Sequence, residues 1–155
     1  MAQFQVRAIG EDVVRDALAR HAAGDPHVEE QLIETPTGHP CRITLAEIPA
    51  GERALLFRHS PFDAPSPYAE AGPIFARIAR PPARLGANEV PAFVAERPLV
   101  VVRAYDNVNA IASGEVVAGE ACAAAIARAL DDDATAYVHV RSAAYGCFLF
   151  RADRG

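Results

Sequence analysis

Arginine dominates the side chains of this chain that are suited to chemistry. Residues two apart on a strand share a face, and that spacing puts Tyr137, His139 and Arg141 together. Arg103 and Tyr105 are related in the same way on another apolar segment, and Arg77 alternates with Ile74, Ala76 and Ile78. Arg42 lies in a further alternating stretch, and Tyr68 lies in a proline-rich connection. A guanidinium presents a planar fork of donors that fits a carboxylate or phosphate in bidentate fashion. A histidine beside it adds a donor, or a general acid or base, near neutral pH. Arg42, Tyr68, Arg77, Arg103, Tyr137, His139 and Arg141 are therefore the candidate ligand-binding residues, and the chemistry they suit is recognition of a small anion. The competing expectation is that Asp106, Glu70 or the Asp131–Asp133 turn folds back to pair each arginine.

Two thiols are weaker candidates. Cys41 adjoins Arg42, and a cation beside a thiol favours the thiolate. Successive strand residues point to opposite faces, so the alternative for Cys41 is a small buried apolar residue. Cys147 opens the last apolar segment, and it is the other candidate reactive thiol. Cys122 falls with Ile126 and Ala129 on one face of an Ala-rich helix and reads as core. His39 and Cys41 are spaced as metal ligands can be, but two ligands do not make a site. No metal and no cofactor is expected. There is no Gly-rich phosphate loop, GxSxG elbow, HExxH or CxxC. All fifteen basic residues are arginine, which excludes Schiff-base chemistry on lysine.

The elements that must position these residues follow from hydrophobic period. Phe4–Ile9 reads as a short strand, and Glu11–Ala23 as a helix with acids in its first turn and Gly24 at its stop. From Cys41 the period becomes two, so Cys41–Ile48 and Arg53–His59 read as a hairpin across Pro49–Gly51. A loop, Ser60–Gly72, carries Pro61, Pro65 and Pro67, with Phe62 and Tyr68 as anchors. A loop of that length is expected to border the functional site. Pro73–Arg80 and Val-rich Leu99–Tyr105 read as strands. A short helix capped by Asn88 spans Glu89–Ala95, and Ile111 ends a further short strand. Gly119–Leu130 is the second long helix, and Thr135–Arg141 with Gly146–Ala152 forms a closing hairpin. The expected fold is α+β: one domain over residues 1–155, mainly an antiparallel sheet of five or more strands, with helices near 11–23 and 119–130. Across these strands the one acid is Glu47.

Composition sets the outer limits. A chain of 155 residues that is 51% hydrophobic suits a single domain with a sizeable core. A net charge of −5 argues against nucleic acid as partner. The most apolar stretch, Val116–Leu130, is interrupted by Glu120 and Arg128 and is shorter than the ~20 residues of a membrane span. Three cysteines without a leader pattern point to reduced thiols and a cytoplasmic protein.

Several short motifs occur in order: Pro40-Cys41-Arg42, Gly51-Glu52, Pro67-Tyr68, Gly72-Pro73-Ile74-Phe75, Glu89-Val90-Pro91, Arg103-Ala104-Tyr105-Asp106, Gly119-Glu120 and Gly146-Cys147-Phe148. The set resembles an uncharacterised bacterial family, the domain of unknown function 1203, from about Pro40 to the C-terminus. The resemblance implies a small bacterial cytosolic protein and no particular activity. It also implies a His-Asn-Ala run where Arg141-Ser142-Ala143 stands here. Two functions follow as expectations: a binding domain, or enzyme of unknown reaction, that takes a small anionic ligand on the arginine-bearing face; or a protein–protein interaction or homo-oligomerisation module. The first needs a pocket with convergent polar groups, the second an apolar patch.

Overall fold

The computed structural model describes all residues, Met1–Gly155, and divides the strands between two antiparallel sheets. The larger has five strands in the order β1 (Phe4–Arg7), β8 (Phe148–Arg154), β7 (Tyr137–Ser142), β5 (Val100–Tyr105) and β6 (Ile111–Val117). The smaller has three, β2 (Val28–Leu32), β3 (Arg53–His59) and β4 (Gly72–Arg77), in sequence order. This is the α+β, mainly antiparallel architecture expected from the period-two segments. No helix is long and apolar enough to cross a membrane.

Each sheet has its own core. On the larger, Val100, Val102, Ala104, Val138 and Val140 project to one face and are covered by α3 (Cys122–Asp131) through Cys122, Ala125, Ile126 and Leu130. Burial pushes the Cys122 thiol up to about 12, so it packs as a neutral apolar group. The 3-10 turn that leads into α3 touches α2 (Ala92–Ala95) closely: a Cβ on Gly119 would lie 2.2 Å from the Val94 carbonyl oxygen. The smaller sheet packs Ala54, Leu55, Phe57, Ile74 and Ala76 against Val14 and Ala17 of α1 (Glu11–Ala22).

Several sequence expectations are corrected. Cys41–Ile48 is not a strand. Leu45 adopts φ 53, Leu45 N–H donates to Cys41 O, and Cys41 N–H donates to Ala46 O. The apolar residues are buried as the alternation implies, but they serve two cores: Leu45 enters the first, while Cys41, Ile43 and Ile48 enter the second. A compact turn can divide its side chains this way, and a flat strand cannot. β3 instead pairs antiparallel with β2, in the register Val28↔Phe57 to Leu32↔Arg53, and with β4 on its other side. β2 escapes detection because Glu29, Glu30 and Gln31 dominate it, and it lies at a sheet edge where polar residues are tolerated. Asn88 is no helix cap: it holds φ 62, and its side chain accepts from Phe4 N–H. Ile111 begins β6 rather than ending a strand.

Candidate anion and thiol site

The face of the larger sheet opposite α3 carries the polar residues. Register places Arg103 opposite His139 and His139 opposite Arg151, with Tyr105 opposite Tyr137 in the next row. The β7–β8 pairing then shifts between Val140 and Arg141, so that Arg141 faces Phe148. Such a bulge re-aims side chains. Here it turns Leu149 into the α3-side core and leaves Phe148 on the polar side, in the core of the smaller sheet.

His139 is fully buried in an aromatic box. Its ring lies 4.9 to 5.1 Å from those of Tyr105, Phe148, Phe62 and Tyr137. Neither ring nitrogen has a hydrogen-bond partner. Burial first, then the charges of Arg141, Arg151 and Arg103, lower it to about 3, so it is neutral at physiological pH. Phe62 comes from the proline-rich loop, as expected. Asn109 fixes that loop from the far side, donating to Asp63 and Ala64 while accepting from Tyr137 Oη–H at 2.7 Å. Tyr68, the other expected anchor, is 47% exposed.

The same loop supplies a carboxylate to the arginines. Glu70 Oε1 lies 2.8 Å from Arg141 Nη2 and 3.0 Å from Arg103 Nη1. Arg141 is buried, its Nε has no partner, and its Nη1 donates to Gly146 O at 3.0 Å. Beside it a cleft of about 190 Å³ is lined by His59, Glu70, Arg141 and Cys147 among others. Burial, followed by the Arg20 and Arg42 charges, lowers His59 below the ordinary imidazole value.

A second cleft, of about 320 Å³, shares Pro73, Tyr145 and Cys147 with the first. Arg42, Arg97 and Ser142 also line it, and no Asp or Glu does. Arg42 is 4% exposed, donates to Phe148 O and Pro40 O, and makes no ion pair. Burial pulls its guanidinium down to about 10, with Cys147 and Cys41 pulling the other way, so it stays charged at neutral pH. Arg97, half-buried, rests over the Phe93 ring and is also without an ion pair.

The structure therefore brings together only some of the candidate residues. Arg141 and Glu70 line the first cleft, Arg103 reaches Glu70 from outside that lining, and Arg42 lines the second. Arg77 is engaged elsewhere, in a bidentate pair with Glu52 at 2.6 and 2.8 Å. Tyr137 is tied to Asn109 and carries Arg151 over its ring at 4.1 Å. Cys41 is buried, and its sulfur accepts the Arg77 and Thr44 backbone N–H groups. No group of three or more His, Cys, Asp or Glu is placed to hold a metal ion. Arg97, His59 and Tyr145 were not legible as site residues, since each lies in a connection or at a strand end, where period carries no information about facing.

A family profile described as a protein of unknown function (DUF1203) matches residues 38–154. No curated protein and no solved structure matches the chain.

Proposed function

We propose that this chain, which belongs to the DUF1203 family, binds a small anion, a carboxylate or phosphate compound, in the cleft lined by Arg42 and Arg97. One observation carries the reading: two guanidiniums line a cleft without a single acid, and one of them is 4% exposed. A buried charge without a counter-ion costs several kcal/mol, on the order of a lost buried ion pair. Arginine cannot escape that cost by losing its proton. A bound anion offsets it through the bidentate geometry a guanidinium favours. Beside the adjoining cleft, Glu70 from a half-exposed position sets a single oxygen, Oε1, against both Arg141 and Arg103.

The test is thermal and calorimetric titration with inorganic phosphate, citrate and a neutral sugar. Phosphate or citrate at about a hundredfold above Kd should stabilise the fold by ~2.7 kcal/mol. The sugar should do nothing. Arg97→Gln removes one cation whose side chain makes no hydrogen bond, and it keeps the backbone bonds to Val94 and Gly119, so it should fold normally and lose the stabilisation. Unaltered anion binding in Arg97→Gln, or none in the parent, rejects the reading.

A second reading, self-association, is supported by β6. This strand is the open edge of the larger sheet, and Ile111 and Val116 on it are 42% and 60% exposed. Unpaired edges of this kind template strand addition. Concentration-dependent sedimentation that Val116→Lys abolishes would support it, and a monomer at all concentrations removes it.

A further inference from the structure

We infer that Cys147 forms a mixed disulfide with a low-molecular-weight disulfide that bears carboxylates. The inference rests on the anion reading above and names the substrate class and the reacting atom of the same site.

Cys147 stands on the wall between the two clefts and is half-exposed. It follows Gly146, whose φ of +71° lets the β7–β8 connection turn sharply there. Two buried guanidiniums grip the main chain on either side of it. Arg141 donates to the carbonyl before it, Gly146 O, at 3.0 Å, and Arg42 donates to the carbonyl after it, Phe148 O, at 2.8 Å. Each arginine lines one of the clefts that Cys147 separates. Arg141 keeps an unpartnered buried Nε, and Arg42 has no carboxylate, so both have capacity for an incoming anion. The sulfur itself is held only by a weak contact to Tyr145 O at 3.9 Å.

The attacking species in thiol chemistry is the thiolate. Amide or ester cleavage needs a proton for its leaving group and donors for an oxyanion. Thiol–disulfide exchange needs neither, because a thiolate departs. The Cys147 thiol gives its proton to solvent. Its sulfur attacks one sulfur of the small disulfide, a new S–S bond forms, and the old one breaks. The electron pair of the broken bond leaves with the other half as a thiolate. Cys147 is oxidised, the departing sulfur is reduced, and nothing further is consumed. Carboxylates on the bound half engage Arg42 and Arg97. Cys41 and Cys122 are fully buried, so neither offers an accessible thiol to resolve the adduct. It persists until an external thiol arrives.

The full chain is treated with glutathione disulfide, which carries carboxylates, and separately with cystamine, which carries amines. Intact mass and peptide mapping follow the adduct. Expected is one adduct, on Cys147, forming at least about tenfold faster with the anionic disulfide, the low end of what charge complementarity contributes to association. Arg97→Gln should erase that preference, and Cys147→Ser should abolish the adduct. Equal or faster reaction with cystamine overturns the inference, since Cys147 is then merely an accessible thiol. Modification at Cys41 or Cys122 overturns it too. If phosphate still stabilises the chain in either case, the anion reading survives alone; if phosphate fails as well, both fall.

Discussion

His139 and Arg141 lie two residues apart on one face of β7, both almost completely buried, yet their surroundings are opposite in kind. His139 is enclosed by four rings and has no polar partner. Arg141 is given a carbonyl, a carboxylate and a cleft. The difference follows from proton chemistry. An imidazole taken into an apolar site sheds its proton and becomes a neutral, ring-shaped packing element. A guanidinium keeps its charge, so burial obliges the fold to supply an anion or to leave room for one. Arg42 and Arg97 extend the second case, with room provided and no anion supplied.

The largest expected effect breaks the neutrality of His139. Its value falls from the ordinary 6.5 to about 3 in the folded chain. Between those values the unfolded chain binds more protons. Stability is therefore full above the unfolded value and is lost as pH falls toward the folded one. From pH 7 to 4.5 the loss from this one group is about 2.5 kcal/mol. Urea unfolding of the parent and of His139→Leu at both pH values isolates it from the carboxylates common to both. Parallel profiles would show that His139 is not the acid-labile group.

Opening the box sharpens the same contrast. Phe62 covers both Tyr105 and His139 with edge-on contacts at 5.2 and 5.1 Å. Phe62→Ala should cost about 1–2 kcal/mol at pH 7, as a partly exposed large-to-small change. It should also flatten the acid slope, because water then solvates the imidazolium. An unchanged slope would place the cause of the shift in the neighbouring arginines rather than in burial.

The smallest effect on stability belongs to Glu70→Gln. Glu70 is half exposed, and its pairs with Arg103 and Arg141 should be worth under about 1 kcal/mol together. Removing its charge raises the positive potential over the adjoining Arg42–Arg97 cleft, so phosphate should bind there about 1.4- to fivefold tighter, the equivalent of an exposed ion pair's ~0.2–1 kcal/mol. Weaker binding in Glu70→Gln would mean that Glu70 contributes to the ligand site instead of competing for it.

What the amino-acid order determined by itself was local and periodic. The Val-rich β5, the closing β7–β8 hairpin, the apolar stripe of α3 and the co-facial placement of His139 with Arg141 all follow from side-chain period within one segment. What only the tertiary structure decided was long-range. Cys41–Ile48 has the period of a strand but folds as a turn, because its apolar residues are divided between two cores. β2 pairs with β3 although its own residues are polar, because pairing and a single buried Val28 outweigh weak propensity at an edge. The charge state of His139 depends on a ring 77 positions away, Phe62, and the pairing of Arg103 on a carboxylate 33 positions away. Arg97 enters a cleft with Arg42 and Cys147 from a connection that has no period at all. Period reports which way a side chain points within its own element, and a site is made where several elements happen to point at one another.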